Sequence, residues 1–192
     1  MEPVRVYLSG PAGAGKTEAA MWLCRRHAFT RISLGDLCRA EAERRGWLCD
    51  RTHLQAAGDR VRGGDPARLA VLALERARGR GDVVIDGVRL VAEAEYLRAH
   101  GVIGVRVDVP EEIRRQRLGR RDGSAEVPDH ATEREAGLLP ADLTLCAAAD
   151  AVAYDLALRL LVARVAVLRA TRRAEARPAV REVRPCVPGR MR

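Results

Sequence analysis

Asparagine is absent from this sequence, phenylalanine occurs once, and lysine occurs once, at position 16. The other 33 of the 34 basic residues are arginine. Beside plentiful Ala, Gly and Val, these scarcities bear the mark of a GC-rich genome, which accounts for most surface arginines without any functional demand. Aromatics make up only 3%, but 47% of the 192 residues are hydrophobic, enough for the core of one α/β domain. No apolar run approaches ~18 residues without a charge, which argues against a membrane-spanning helix. The first residues run straight into a strand-like segment, so no secretory leader is expected. The five cysteines, at 24, 38, 49, 146 and 186, form no CxxC pair and no metal-type spacing with the four histidines. A disulfide framework and a zinc site are thereby set aside, and the thiols are expected to be buried or free in a reducing compartment. A cytoplasmic location follows as the expectation.

Acidic residues are fewer than basic ones, for a net charge of +8. The excess is uneven. Residues 171–192, "TRRAEARPAVREVRPCVPGRMR", carry seven Arg against Glu175 and Glu182, a net of +5 that leaves only +3 for the rest. Apolar periodicity stops at the same place, where Pro178, Pro185 and Pro188 appear. The chain therefore divides into a domain at 1–170 and a basic, flexible tail at 171–192.

Within the domain, Val- and Ile-rich segments at 4–9, 83–86 and 102–109, with shorter ones at 30–34 and 150–154, predict five strands. Helical stretches fall at 16–28, 36–46, 51–62, 66–79, 90–100, 110–121, 131–138 and 155–173. Asp65-Pro66 marks a helix start, an acidic cap followed by a first-turn proline. Such alternation predicts a five-stranded parallel sheet flanked by helices, with ligands at the carboxyl ends of its strands.

One motif gives that sheet a chemistry. Gly10-Pro-Ala12-Gly13-Ala14-Gly15-Lys16-Thr17 fits GxxxxGK[ST], with a strand before it and a helix after it. The glycines let successive N–H groups turn inward around phosphate oxygens, above a helix N-terminus. Lys16 is expected to reach the β- and γ-phosphates of ATP, and the Thr17 hydroxyl to bind Mg²⁺. A planar guanidinium cannot replace that compact ammonium, which explains why this basic position alone stayed lysine. The fold class is thus a P-loop NTPase. Guanine-reading GTPases use an NKxD segment, which a chain without Asn cannot supply. AAA+ machines need more chain, and no LSGGQ-like transporter signature is present. Small-molecule kinases are left.

Three further segments narrow the choice. "ISLGDLCRAEAERRG" (32–46) resembles the GDxxR segment of adenylate kinases and their relatives. "VVIDGVR" (83–89) resembles their DGxxR segment and also the DGxR of a nucleoside monophosphate kinase-like group, and "VPEEIRRQRLGRRD" (109–122) resembles the helix leading into their lid. With the P-loop, and in this order, the chain resembles the nucleoside and deoxynucleoside monophosphate kinase family, which includes the related dephospho-CoA kinases, over residues 4–170. The resemblance implies that Arg39 and Arg89 hold the acceptor phosphate, that Arg117 and Arg121 close over the transferring group, and that Asp86 helps to hold Mg²⁺. Asp36 fits either the acceptor site or a cap of helix 36–46. Arg62, with Arg60, fits either substrate contact or surface charge. Arg114, Arg115 and Arg120 read as a solvated face. The lid, at about 118–137, is short, so adenylate specificity does not carry over.

The expected activity is ATP- and Mg²⁺-dependent phosphorylation of a nucleoside or deoxynucleoside monophosphate. A dephospho-CoA kinase-like enzyme would need a carboxylate to take the hydroxyl proton, a role open to Asp36. A nucleic-acid end kinase or binder using the basic tail, and a nucleotide-binding module without catalysis, complete the alternatives. The partner is expected to be a small nucleotide, with nucleic acid a lesser candidate and no membrane.

Overall fold

A computed structural model describes residues 3–122, 135, 138–146 and 150–176. Its five strands are β1 (Arg5–Ser9), β2 (Thr30–Ser33), β3 (Val83–Asp86), β4 (Ile103–Asp108) and β5 (Leu143–Cys146). They form one parallel sheet in the order β2-β3-β1-β4-β5. The helices are α1 (Lys16–His27), α2 (Leu34–Arg44), α3 (Arg51–Arg62), α4 (Arg68–Ala77), α5 (Val91–Ala99), α6 (Glu111–Asp122) and α7 (Ala151–Ala176). Helices cover both faces, which is why β1 and β3 read as nearly continuous apolar runs. Val6, Leu8, Val105 and Val107 pack with α1 and with Tyr154, Leu158, Leu161 and Val165 of α7. Tyr7, Ile85 and Val83 turn to the other face, against Leu34, Leu69, Ala73 and Leu97. None of the described helices is long and apolar enough to cross a membrane.

Several elements differ from the sequence expectation for local reasons. The segment 150–154 is the start of α7 and not a strand, because the Asp150 carboxylate accepts the N–H groups of Val152 and Ala153 at 3.2 and 3.1 Å. The fifth strand is instead Leu143–Cys146, an edge element in which only Leu145 is buried. Asp65 accepts the Ala67 N–H at 2.9 Å, so a turn occupies 66–67 and α4 begins at Arg68. Ser33 caps α2, its Oγ accepting the Asp36 N–H at 3.2 Å, so Asp36 is not the cap. The helix α7 crosses the expected tail boundary at 171 and continues to Ala176. Most of the predicted helix 131–138 and of the lid, and residues 177–192, lie outside the described residues.

Candidate active site

The sheet order sets the carboxyl ends of β2, β3 and β1 side by side, with Ser33 in register with Asp86. Over them opens a cleft of about 1040 Å³ that the P-loop shares with Ser33, Asp36, Arg39, Asp86 and Arg89. The loop owes its shape to glycine. Gly10 has φ 129°, and a Cβ there would run into the Val107 carbonyl oxygen of β4. Gly15 caps α1 in the left-handed region at φ 95°. Both positions bar an L side chain.

Lys16 donates from Nζ to the Gly10 and Pro11 carbonyls at 2.7 and 2.8 Å, lying along the loop it serves. Thr17 Oγ1 donates to Asp86 Oδ2 at 3.0 Å. Asp86 ends β3 and is only 3% exposed. A buried carboxylate needs partners, and Arg31 of β2 adds two donors to the same oxygen, Nη2 at 2.9 Å and Nε at 3.2 Å. Arg31 also reaches Asp36 Oδ2 through Nη1 at 3.3 Å, while Asp36 Oδ1 pairs with Arg39. Thr17 and Asp86, a hydroxyl and a carboxylate already side by side, are a hard-oxygen pair suited to Mg²⁺ through water. With Lys16 and the loop amides they fit ATP with Mg²⁺, the pair that P-loop kinases use.

The far wall comes from α6. Arg117 lines the cleft and donates to the Ala14 carbonyl at 3.4 Å. Arg114, expected to be solvated, reaches the Ala12 carbonyl at 3.5 Å and forks onto Glu111 at 2.6 and 2.7 Å. Those contacts, with Arg115, hold the Glu111 carboxyl down at about 2. The Arg121 side chain lies outside the described set. Behind the loop, the Tyr154 hydroxyl of α7 donates to the Gly15 carbonyl at 3.2 Å.

Of the described arginines that the sequence nominated, Arg39, Arg62, Arg89 and Arg117 meet the cleft, whereas Arg60 lies outside it, exposed and near Glu41 at 3.8 Å. Arg62 arrives there already bound to Glu93 and Asp59. Sequence reasoning missed Arg31, Arg51 and Glu93. The first two had no motif; only the placement of Arg31 two residues before the capping Ser33, and of Arg51 at the start of α3, was available as a signal. Glu93 could have been found from its position three residues after Leu90, where a glutamate reaches back to the helix start.

Residues 6–136 match the AAA_18 family, described as an AAA domain. The chain belongs to this family. Its AAA_18 domain is a P-loop kinase domain, which qualifies the exclusion of AAA machines argued from chain length. Among curated relatives, a UPF0200 protein of Pyrobaculum aerophilum is 37% identical over 120 residues, 61% of this chain and 66% of that protein. The adenylate kinase of Pyrococcus horikoshii is 30% identical over 128 residues, 62% of this chain and 57% of the kinase. The match thus spans less than two thirds of either relative. A gluconokinase from Sinorhizobium meliloti 1021 superposes with a TM-score of 0.59 at 16% identity, covering 91% of this chain and 98% of the gluconokinase. That likeness shows the fold which the AAA_18 domain shares with it.

Proposed function

We propose that this protein transfers the γ-phosphoryl group of ATP, with Mg²⁺, to a nucleoside or deoxynucleoside monophosphate. The observation that carries the reading is the charge of one cleft. Lys16, Arg31, Arg39, Arg51, Arg89 and Arg117 line it, with Arg62 already matched by Glu93 and Asp59, against Glu18, Asp36 and Asp86. Two polyanions brought together need such a surplus on both sides of the transferring group. Leu34, Cys38, Leu54 and Leu69 line the same cleft, an apolar set suited to a flat base, with Gln55 available to contact its edge.

In this reading the loop amides and Lys16 hold the donor phosphates, and Arg117 approaches from α6. Bound Mg²⁺ supplies charge neutralisation on the oxygens of the transferring group. Thr17 and Asp86 are the residues that hold it. Arg39 and Arg89 orient the acceptor phosphate, for which a guanidinium fork is suited. A phosphate acceptor is already ionised at neutral pH and needs no base. Asp36 has each carboxylate oxygen engaged by a guanidinium, Oδ1 by Arg39 and Oδ2 by Arg31. That arrangement suits an electrostatic organiser better than a proton acceptor.

The dephospho-CoA-type alternative keeps one supporting observation, the presence of Asp36 in the cleft. A coupled ADP-release assay over nucleoside monophosphates, deoxynucleoside monophosphates and dephospho-CoA separates the two. Turnover with a monophosphate and none with dephospho-CoA is expected; turnover with dephospho-CoA alone would replace the proposal.

A further inference from the structure

We infer that Glu93 is a positioning residue of the acceptor side, acting through Arg62 and the loop that carries Arg89; this deepens the monophosphate reading and rests on it. Glu93 stands in the first turn of α5 with no exposed surface, and with Asp86 it is one of two buried carboxylates among the described residues. Its Oε1 accepts Arg62 Nη2 at 2.8 Å and Nε at 3.3 Å. Its Oε2 accepts the backbone N–H groups of Arg89 at 2.9 Å and Leu90 at 3.2 Å. A helix cap requires only the second of these oxygens. The first is given to an arginine from another helix, and the carboxylate of the pair is fully buried. Burying both ions is costly unless every lone pair is met, so such a pair signals a fixed geometry more than added stability.

What it fixes is the gap between α3 and loop 86–90. Arg62 is 11% exposed at its side chain, and its remaining fork reaches Asp59 at 3.2 Å. Gly58 makes room: a Cβ there would stand 3.2 Å from both Arg62 Nη1 and Cys38 Sγ. Glycine inside a helix is costly against alanine, and here it lets α2, α3 and the guanidinium close on one another. Burial pushes the Cys38 thiol up, so that side chain adds no charge beside the pair. Arg62 is thus a strut, with Nε and Nη2 on Glu93 and Nη1 on Asp59. Its effect on the acceptor is exerted through the placement of Leu54 and Gln55 on α3 and the aim of Arg89 on the loop.

The test is a double-mutant cycle of Glu93→Gln and Arg62→Met, read by steady-state kinetics over the monophosphate panel and by hydrogen exchange. Each single change is expected to raise the acceptor KM about tenfold with the ATP KM within about twofold, and the double variant to match the singles. Exchange should quicken together at residues 87–90 and along 58–62 in Glu93→Gln. Equal shifts in both KM values, or additive effects, would overturn the inference. If the wild-type protein turns over no monophosphate, the functional reading fails by itself, and exchange alone decides on Glu93. Quickening confined to 87–90 would then reduce it to a helix cap and end the proposal.

Discussion

The two halves of the cleft are built from different materials. On the donor side, backbone does the holding: glycines at 10, 13 and 15 with positive φ, and amides aimed by the start of α1. On the proposed acceptor side, side chains do it: Arg31 and Arg62, from different elements, are each clamped by a buried carboxylate at one end of the segment 86–93. A backbone cradle admits almost no substitution, since conformation itself is the binding group. A clamp of ion pairs can be re-aimed by changing one partner. Substrate choice is therefore expected to vary on the acceptor wall while the donor wall stays constant.

The comparison predicts unequal damage. Lys16→Ala should lower kcat by about a thousandfold or more, since it removes the mobile charge from a preorganised site; near-normal kcat would break the donor assignment. Gly10→Ala belongs beside it, because its Cβ meets the Val107 carbonyl, and loss of ATP binding by calorimetry is the expected readout. Arg89→Ala should cost about a hundredfold in kcat/KM for the acceptor, with kcat and KM both affected. An unchanged acceptor KM would place Arg89 outside the site.

The smallest effect is a pH dependence that touches the scaffold behind both halves. Burial pushes the phenols of Tyr7 and Tyr154 up to about 12. Unfolded, they ionise near 10.0, so their contribution is intact below that pH and is lost as pH rises towards 12. Denaturant midpoints should fall across that window, and Tyr154→Phe should flatten the decline. A midpoint independent of pH from 10 to 12 would contradict the burial of both rings.

The same contrast explains what could be read from residues in order. The P-loop was legible because its geometry needs closely spaced glycines in one short segment, and a short segment is what a sequence displays. Asp86 and Arg89 were legible through one short segment. Arg31 and Glu93 were not, since the partners that give them a role in the cleft lie 55 and 31 positions away, and the local signal at Glu93 speaks only of a helix start. Strand β5 was missed because a four-residue edge with one buried side chain carries almost no alternation. The reading of 150–154 as a strand failed on a single carboxylate, Asp150, whose two backbone bonds start a helix among residues with strand-like composition.

Tyr154 and Gly15 are 139 positions apart, yet one hydroxyl proton joins them. A nascent chain that has emerged only as far as β5 already possesses every residue of the nucleotide cradle and lacks its backstop.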